Sequence, residues 1–283
     1  VSEELLDTGG QSLDAFEDEV ERLVHKAAIE HEADLVVFPE YVNVFLLAAG
    51  DLDIIRRTGS LEEAIDLLLD RYEVKTLQEL FRRRARQLNG EIVELWRQLA
   101  VEYEVAIIPG TFFWAPTARS AESRELTNRV IVLNELGEII YRQDKVFLTP
   151  EEEQIFELAA GDLADARPFQ IDGTTIAVTI CRDSYFSEWD ARLGTSDLWI
   201  DLRANGEPYT DAVRARFRET LAERVALTDA RAGVNASLTG TFLDLLWEGP
   251  SYAVDAAGRR ISESPSHDGS SLIIATLETQ EMD

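Results

Sequence analysis

The feature that most constrains this chain is a series of short, unbroken apolar and β-branched runs, each with a turn signal close by. They read "ADLVVFPE", "VAIIPGTFF", "RVIVLNELGEIIYRQDK", "TTIAVTIC", "DLWIDLRANG", "AGVNASLTGT" and "SYAVDAAGRRI". Runs of this length that stop at Pro-Gly, Asn-Glu-Leu-Gly, Asp-Gly, Asn-Gly or Ala-Ala-Gly are expected to be strands. Helical periodicity fills the longer gaps. Gln11 to Glu32 carries Phe16, Val20, Leu23, Val24 and Ala27 on one face. Asp51 to Tyr103 predicts two or three helices, and Pro208 to Ala232 one more, with Val213, Phe217, Leu221, Val225 and Leu227. The "VIVLNELGEIIY" stretch is too tight for a helical crossover and reads as a hairpin. The pattern therefore predicts an α/β fold, with mixed sheets and helices on the outer faces. No repeat, linker or composition break divides the chain, so residues 1–283 are expected to form a single domain.

Charge and composition remove several functions. The formal net charge of −27 disfavours nucleic acid, whose phosphates such a surface repels. The longest apolar stretches, Leu35–Phe38 and Val44–Ala49, are far too short to span a membrane. No signal region opens the sequence, and a lone cysteine permits no intrachain disulfide, so a cytoplasmic location is expected. His25, His31 and His267 are scattered without ligand spacing, and no phosphate loop or G-x-G-x-x-G motif appears; neither metal nor cofactor is expected.

Only Lys26, Lys75 and Lys145 are lysines, so one kept in an apolar setting invites a chemical explanation. Lys145 ends "EIIYRQD", Glu40 ends "LVVFP", and Cys181, the only cysteine, ends "TTIAVTI". A lone cysteine after a strand is more often a small core residue. The charged Arg182 and Asp183 that follow force the chain out of an apolar core at that point, at the strand end where α/β folds gather their sites. Carboxylate, ammonium and thiol at neighbouring strand ends would suit acyl transfer from a C–N bond. The carboxylate takes the thiol proton, the ammonium meets the oxyanion, and sulfur holds the acyl group.

"DLVVFPE", "YRQDKVFLTPEE" and "VTICRDSYFSEW", in this order, resemble the three signatures of the nitrilase, or carbon–nitrogen hydrolase, superfamily. "NRVIVLNELGEIIYRQDK" resembles that family's hairpin leading to its lysine, and the similarity runs from about Ala33 to Ile261. The resemblance implies a four-layer αββα sandwich, a homodimer or higher homo-oligomer, and a Glu–Lys–Cys triad on Glu40, Lys145 and Cys181. It also implies a second glutamate, placed on Glu152 by spacing with Glu151 the nearest competitor, and an oxyanion hole that pairs Lys145 with the backbone N–H of Arg182. A thiol in that setting is expected to have a lowered pKa.

The sequence departs from the family pattern in places. "VSEELLDTGGQ" reads poorly as the usual first strand, Asp51–Tyr103 is longer than usual, and Phe147 stands where many members have histidine. Asp183, two residues after Cys181, resembles the amidase and carbamoylase branches rather than true nitrilases. The expected substrate is thus a small linear amide or carbamoyl compound, with nitrile hydrolysis, acyl transfer to another nucleophile, or a non-catalytic metabolite-binding relative as alternatives. Tyr41, Tyr185, Phe186 and Trp189 are expected to wall the substrate pocket. Arg182 and Arg203 are candidates to meet a substrate carboxylate, and Asp183 is placed beside them.

Overall fold

The structure is a computed structural model describing residues 12–116 and 125–277. The apolar runs become two sheets. The first has the order β1 (Leu35–Val37), β2 (Ala106–Ile108), β4 (Thr127–Leu133), β3 (Thr111–Trp114), with β5 (Ile139–Asp144) also paired to β4. In the second, β7 (Thr174–Ile180), β8 (Leu198–Arg203) and β9 (Ala232–Ser237) run parallel. Antiparallel β6 (Phe169–Ile171) flanks β7, and β12 (Tyr252–Asp255) and β13 (Arg260–Glu263) extend the β9 side.

The runs lack polar alternation because both faces of each sheet are covered. Ala106, Ile108, Val130 and Val132 meet Ile176, Val178, Ile180, Ile200 and Leu202 between the sheets. Tyr141 stacks on Phe169 across this seam at 4.9 Å between ring centroids. The alternate residues face outward. Ile107, Ile131 and Leu133 pack on α1 (Ser12–His25) and α4 (Leu77–Glu102) through Phe16, Val20, Val24, Ile92, Trp96 and Leu99. On the other side Ala177, Trp199 and Val254 pack on α6 (Glu188–Leu193) and α7 (Asp211–Leu227) through Trp189, Leu193, Leu221 and Val225. The result is the four-layer αββα sandwich. Each fully buried aliphatic side chain in these layers contributes about 1.5–3 kcal/mol, so truncating Ile200 to alanine would cost about 2–5 kcal/mol.

The Asp51–Tyr103 region resolves into three helices: α2 (Leu52–Ile55), α3 (Leu61–Tyr72) and α4. Ser60 and Thr76 cap α3 and α4 by accepting from Glu63 N and Glu79 N. Elsewhere the sequence pattern and the structure part company. The "AGVNASLTGT" run divides, its end forming β10 (Gly240–Phe242), which pairs with β11 (Leu245–Trp247) in a hairpin the pattern did not anticipate. Leu227 closes α7 at 79% exposure rather than on its buried face. The Phe217 side chain and the stretch "VSEELLDTGGQ" lie outside what is described. No described helix is long and apolar enough to cross a membrane.

Candidate active site

Three strands deliver the three candidate side chains. Glu40 follows β1 and Lys145 follows β5, both from the first sheet, while Cys181 follows β7 of the second. The site therefore lies at the seam between the sheets, on the rim formed by the C-terminal ends of β1, β5 and β7.

Local structure fixes Glu40. Pro39 ends the strand, and the chain turns through Tyr41, whose φ of 63° is left-handed and strained for an aromatic residue. Buried polar contacts hold that turn. Tyr41 N donates to Thr111 Oγ1 at 2.9 Å, Asn43 Nδ2 donates to Pro109 O at 2.7 Å, and Trp96 Nε1 donates to Asn43 Oδ1 at 2.8 Å. Gly110, at φ 72°, lets the Pro39 carbonyl approach; a Cβ there would meet that oxygen inside contact distance and lie 2.8 Å from Val42 Cγ1.

Lys145 is held by its neighbours across the sheet and beyond. Its N–H donates to Asn128 O at 2.8 Å, and its carbonyl accepts from Gly161 N at 2.8 Å. A Cβ on Gly161 would lie 2.6 Å from Asp144 O. The ammonium is 1% exposed, donates to Glu40 Oε1 at 2.9 Å and to Glu152 Oε1 at 3.0 Å, and forms an ion pair with Glu152 Oε2 at 2.8 Å.

Of the two candidate glutamates, Glu152 is buried against Lys145, while Glu151 is exposed. A capping box sets it in place: Thr149 Oγ1 accepts from Glu152 N, and Glu152 Oε2 accepts from Thr149 N at 2.8 Å, opening the short helix α5 (Pro150–Gln154). The spacing Thr149-x-x-Glu152 was thus a readable signal for choosing between the two acids.

One contributor escaped the sequence reading, and another has a different role from the expected one. Asn128, on β4, donates through Nδ2 to Glu40 Oε1 at 2.9 Å and to Glu152 Oε1 at 3.2 Å, bridging the carboxylates. Tyr41 is part of the cluster rather than only a wall, because its hydroxyl donates to Glu152 Oε1. The two acids consequently differ. Glu152 accepts from Lys145, Tyr41, Asn128 and Thr149, whereas Glu40 Oε2 accepts from no N–H or O–H group among the described residues, and the Glu40 carboxylate interacts with the Cys181 thiol.

The electrostatics follow from burial and from two acids sharing one ammonium. Desolvation pushes the Glu40 carboxyl up to about 7; Lys145 opposes this rise and Glu152 adds to it. Burial alone would depress the Lys145 ammonium, yet Glu40, Cys181 and Glu152 together hold it well above the usual lysine range, so it stays charged. The expected lowering of the thiol pKa is reversed. Burial first, and then the neighbouring Glu40 charge, push Cys181 up to about 12, against the opposing pull of Lys145 and Arg203. A lysine already claimed by two carboxylates has little field left to ionise a thiol.

The remaining sequence candidates are distributed differently from expectation. Cys181 has φ 49° and starts a tight turn, Cys181–Tyr185. Asp183, in that turn, is fully buried, and its Oδ1 accepts from Val146 N at 3.2 Å and Phe147 N at 2.8 Å. Rather than facing substrate it latches the chain after Lys145 to the cysteine turn. Arg203, expected to meet a substrate carboxylate, is 2% exposed and already engaged: Nε donates to Asp201 Oδ2 at 2.5 Å and Nη2 to Ser184 Oγ at 2.9 Å and to Thr220 Oγ1. Arg182 donates to the Leu148 carbonyl. Phe186 stacks on Phe147 with centroids 3.7 Å apart, Tyr185 is 41% exposed, and Trp189 belongs to the outer helical core rather than to the pocket.

Known proteins bear on this arrangement. A 100-residue stretch is 31% identical to the "Hydrolase in agr operon" of Staphylococcus aureus, covering 35% of this chain and 36% of that protein, so the match spans about a third of the curated relative's length. Among solved structures, a carbon-nitrogen hydrolase from Helicobacter pylori superposes with a TM-score of 0.67 at 15% identity, over 92% of this chain and 82% of that one. A variant of the Nesterenkonia AN1 amidase, of the nitrilase superfamily, gives 0.63 at 16% over 89% and 81%. Nit3 of Saccharomyces cerevisiae, of the same superfamily, gives 0.63 at 17% over 90% and 81%. These identities speak for a shared fold. The carbon-nitrogen hydrolase family model matches residues 11–283, nearly the whole sequence, and the chain belongs to that family, within the nitrilase superfamily.

Proposed function

We propose that the chain is a thiol amidohydrolase that cleaves a small linear amide through a Cys181 acyl-enzyme. The observation that carries this reading is the asymmetry of the two carboxylates. Glu152 is saturated with donors, while Glu40 keeps one oxygen that accepts from no N–H or O–H group among the described residues, and its carboxylate interacts with the thiol.

Cys181 Sγ attacks the carbonyl carbon as Glu40 Oε2 takes the thiol proton, so no free thiolate need form. The carbonyl oxygen gains negative charge and is met by the Lys145 ammonium, with the backbone N–H of Arg182 as the second donor. Glu40 then delivers the proton to the nitrogen, the C–N bond breaks, and the amine leaves. Water enters on the leaving side, gives a proton to Glu40 and attacks the thioester. Collapse of that intermediate breaks the C–S bond, returns the proton to sulfur and releases a carboxylic acid. Throughout, Glu152 is a fixed anion that orients Lys145, and Asn128 spaces the two acids.

An amide rather than a nitrile is favoured by Asp183 and by the amidases among the structural neighbours, one of which, from Nesterenkonia, has been captured as a variant with butyramide. Intact-mass spectrometry of the protein mixed with a panel of amides, carbamoyl compounds and nitriles tests the reading. A covalent increment equal to the acyl group, located on Cys181 and absent from Cys181→Ala, is expected. Amide turnover that survives in Cys181→Ala would overturn it.

A further inference from the structure

The helices α2, α3 and α4 and the β10–β11 hairpin line a partly open cavity of about 130 Å³ that shares Tyr41 with the catalytic cluster. Its walls include Tyr41, Ala64, Leu68, Phe113, Phe156 and Trp247. Its polar liners are turned to other tasks: Asp51 accepts from Arg71 and Tyr72, and the Tyr41 hydroxyl donates to Glu152. An apolar space of about this size accommodates a benzene ring.

Its location ties it to the chemistry. Tyr41 belongs to both: one wall of the cavity is the ring that lies 5.9 Å from Lys145 Nζ. Phe156 lies two residues beyond the end of α5, the helix that carries Glu152. The β10–β11 hairpin rises from the C-terminal end of β9, parallel through β8 to β7, so it stands on the same rim as Cys181. Asp244, at its tip, accepts from Leu61 N at 2.7 Å and fastens the hairpin to the start of α3.

We propose that this cavity is the acyl subsite and that the substrate is an amide whose acyl group ends in an apolar group of phenyl size. The inference rests on the amidohydrolase reading and specifies its substrate class. It assigns the acyl rather than the amine side for a mechanistic reason. The leaving nitrogen must depart past Glu40 and water must replace it, so that side has to stay wet. The group retained on sulfur throughout both half-reactions is the one an apolar cavity can hold.

The test compares kcat/KM of the intact protein for propanamide, 3-phenylpropanamide and N-(2-phenylethyl)acetamide. 3-Phenylpropanamide is expected to exceed propanamide at least tenfold, while the ring on the amine side brings no gain. Filling the cavity with Ala64→Phe, or from one turn further along α3 with Leu68→Trp, is expected to lower the ratio of the first two at least tenfold. A crystal of Cys181→Ala soaked with 3-phenylpropanamide, which needs no cavity variant to fold, should place the ring between Tyr41 and Trp247. Hydrolysis of propanamide with no phenyl preference, a preference for the N-substituted compound, or a ring bound elsewhere overturns the subsite and leaves the amidohydrolase reading standing. Absence of turnover and of any acyl-enzyme with all three amides overturns both.

Discussion

Replacing Glu40 with glutamine removes the carboxylate that interacts with the thiol while keeping an acceptor for Lys145 and Asn128. The Cys181 thiol sits at about 12. At pH 7.5 an unassisted thiol of that kind is ionised to a fraction of roughly 10⁻⁵ to 10⁻⁴, which corresponds to about 6 kcal/mol to form the thiolate in advance. Glu40, at about 7, is mostly carboxylate at the same pH and can take the proton during attack. The sign follows: the active form is the deprotonated acid, so wild-type kcat/KM should rise with pH up to about 7 and then level off. Glutamine accepts no proton, and attack must wait for the spontaneous thiolate. Part of the thiol's upward shift comes from the Glu40 charge itself, so its removal returns some of the loss. A fall of about 10³ in kcat/KM at pH 7.5 is expected, within the usual reach of general-base catalysis. The pH profile should lose its plateau and climb with unit slope through pH 9. Steady-state kinetics from pH 5 to 10, with thermal melts to confirm folding, measure both. A Glu40→Gln protein that keeps a tenth of wild-type activity, or a break near pH 7, refutes the assignment of Glu40 as base.

Other perturbations probe the support around that carboxylate. Asn128→Ala removes the donor shared by both acids, so the break near pH 7 should move upward by about half a unit to one unit; a pH–rate profile that does not move would deny the bridge any electrostatic role. Gly110→Ala forces a Cβ against the Pro39 carbonyl at a left-handed φ, and a loss of about 2–4 kcal/mol in urea unfolding together with weak activity is expected. Asp183→Ala strands the N–H groups of Val146 and Phe147, costing about 1–3 kcal/mol of stability. Because Asp183 acts as a latch rather than a substrate contact, kcat should fall with KM nearly unchanged; the reverse pattern would put Asp183 in the binding surface.

The parts of this molecule that were legible in the sequence are those written along one stretch of chain. A two-face-buried strand has to be a continuous apolar run, and the residue after it has to be where the chain leaves the core, so Glu40, Lys145 and Cys181 could each be read as strand ends. Helical spacing marked Asp51–Tyr103 as two or three helices, and the structure adds the caps Ser60 and Thr76 that bound α3 and α4. Asn128 could not be found in that way. It lies inside a strand, flanked by Thr127 and Arg129, and its role exists only because the register of β4 with β5 sets it opposite Lys145. The β10–β11 hairpin was likewise illegible, since three-residue strands carry too little pattern to stand out.

The reversed expectation for the thiol has the same origin. Counting Lys145 as a cation beside Cys181 was sound as far as the sequence went, because an ammonium at a neighbouring strand end carries a charge whose sign favours a thiolate. In three dimensions that ammonium is bound by Glu40 and by both oxygens of Glu152, so the cluster holds one excess negative charge before sulfur ionises. Ionising the thiol as well would place a second excess negative charge in the same buried volume. In the proposed mechanism such a site gains by keeping sulfur protonated and moving its proton only as the S–C bond forms, when the new negative charge on the carbonyl oxygen meets the Lys145 ammonium and Glu40 has been neutralised by the proton. The donors on Glu152 serve the same end. By satisfying that carboxylate through Tyr41, Asn128 and the Thr149 cap, the fold occupies its oxygens with donors, and in the proposed mechanism Glu40 is the base.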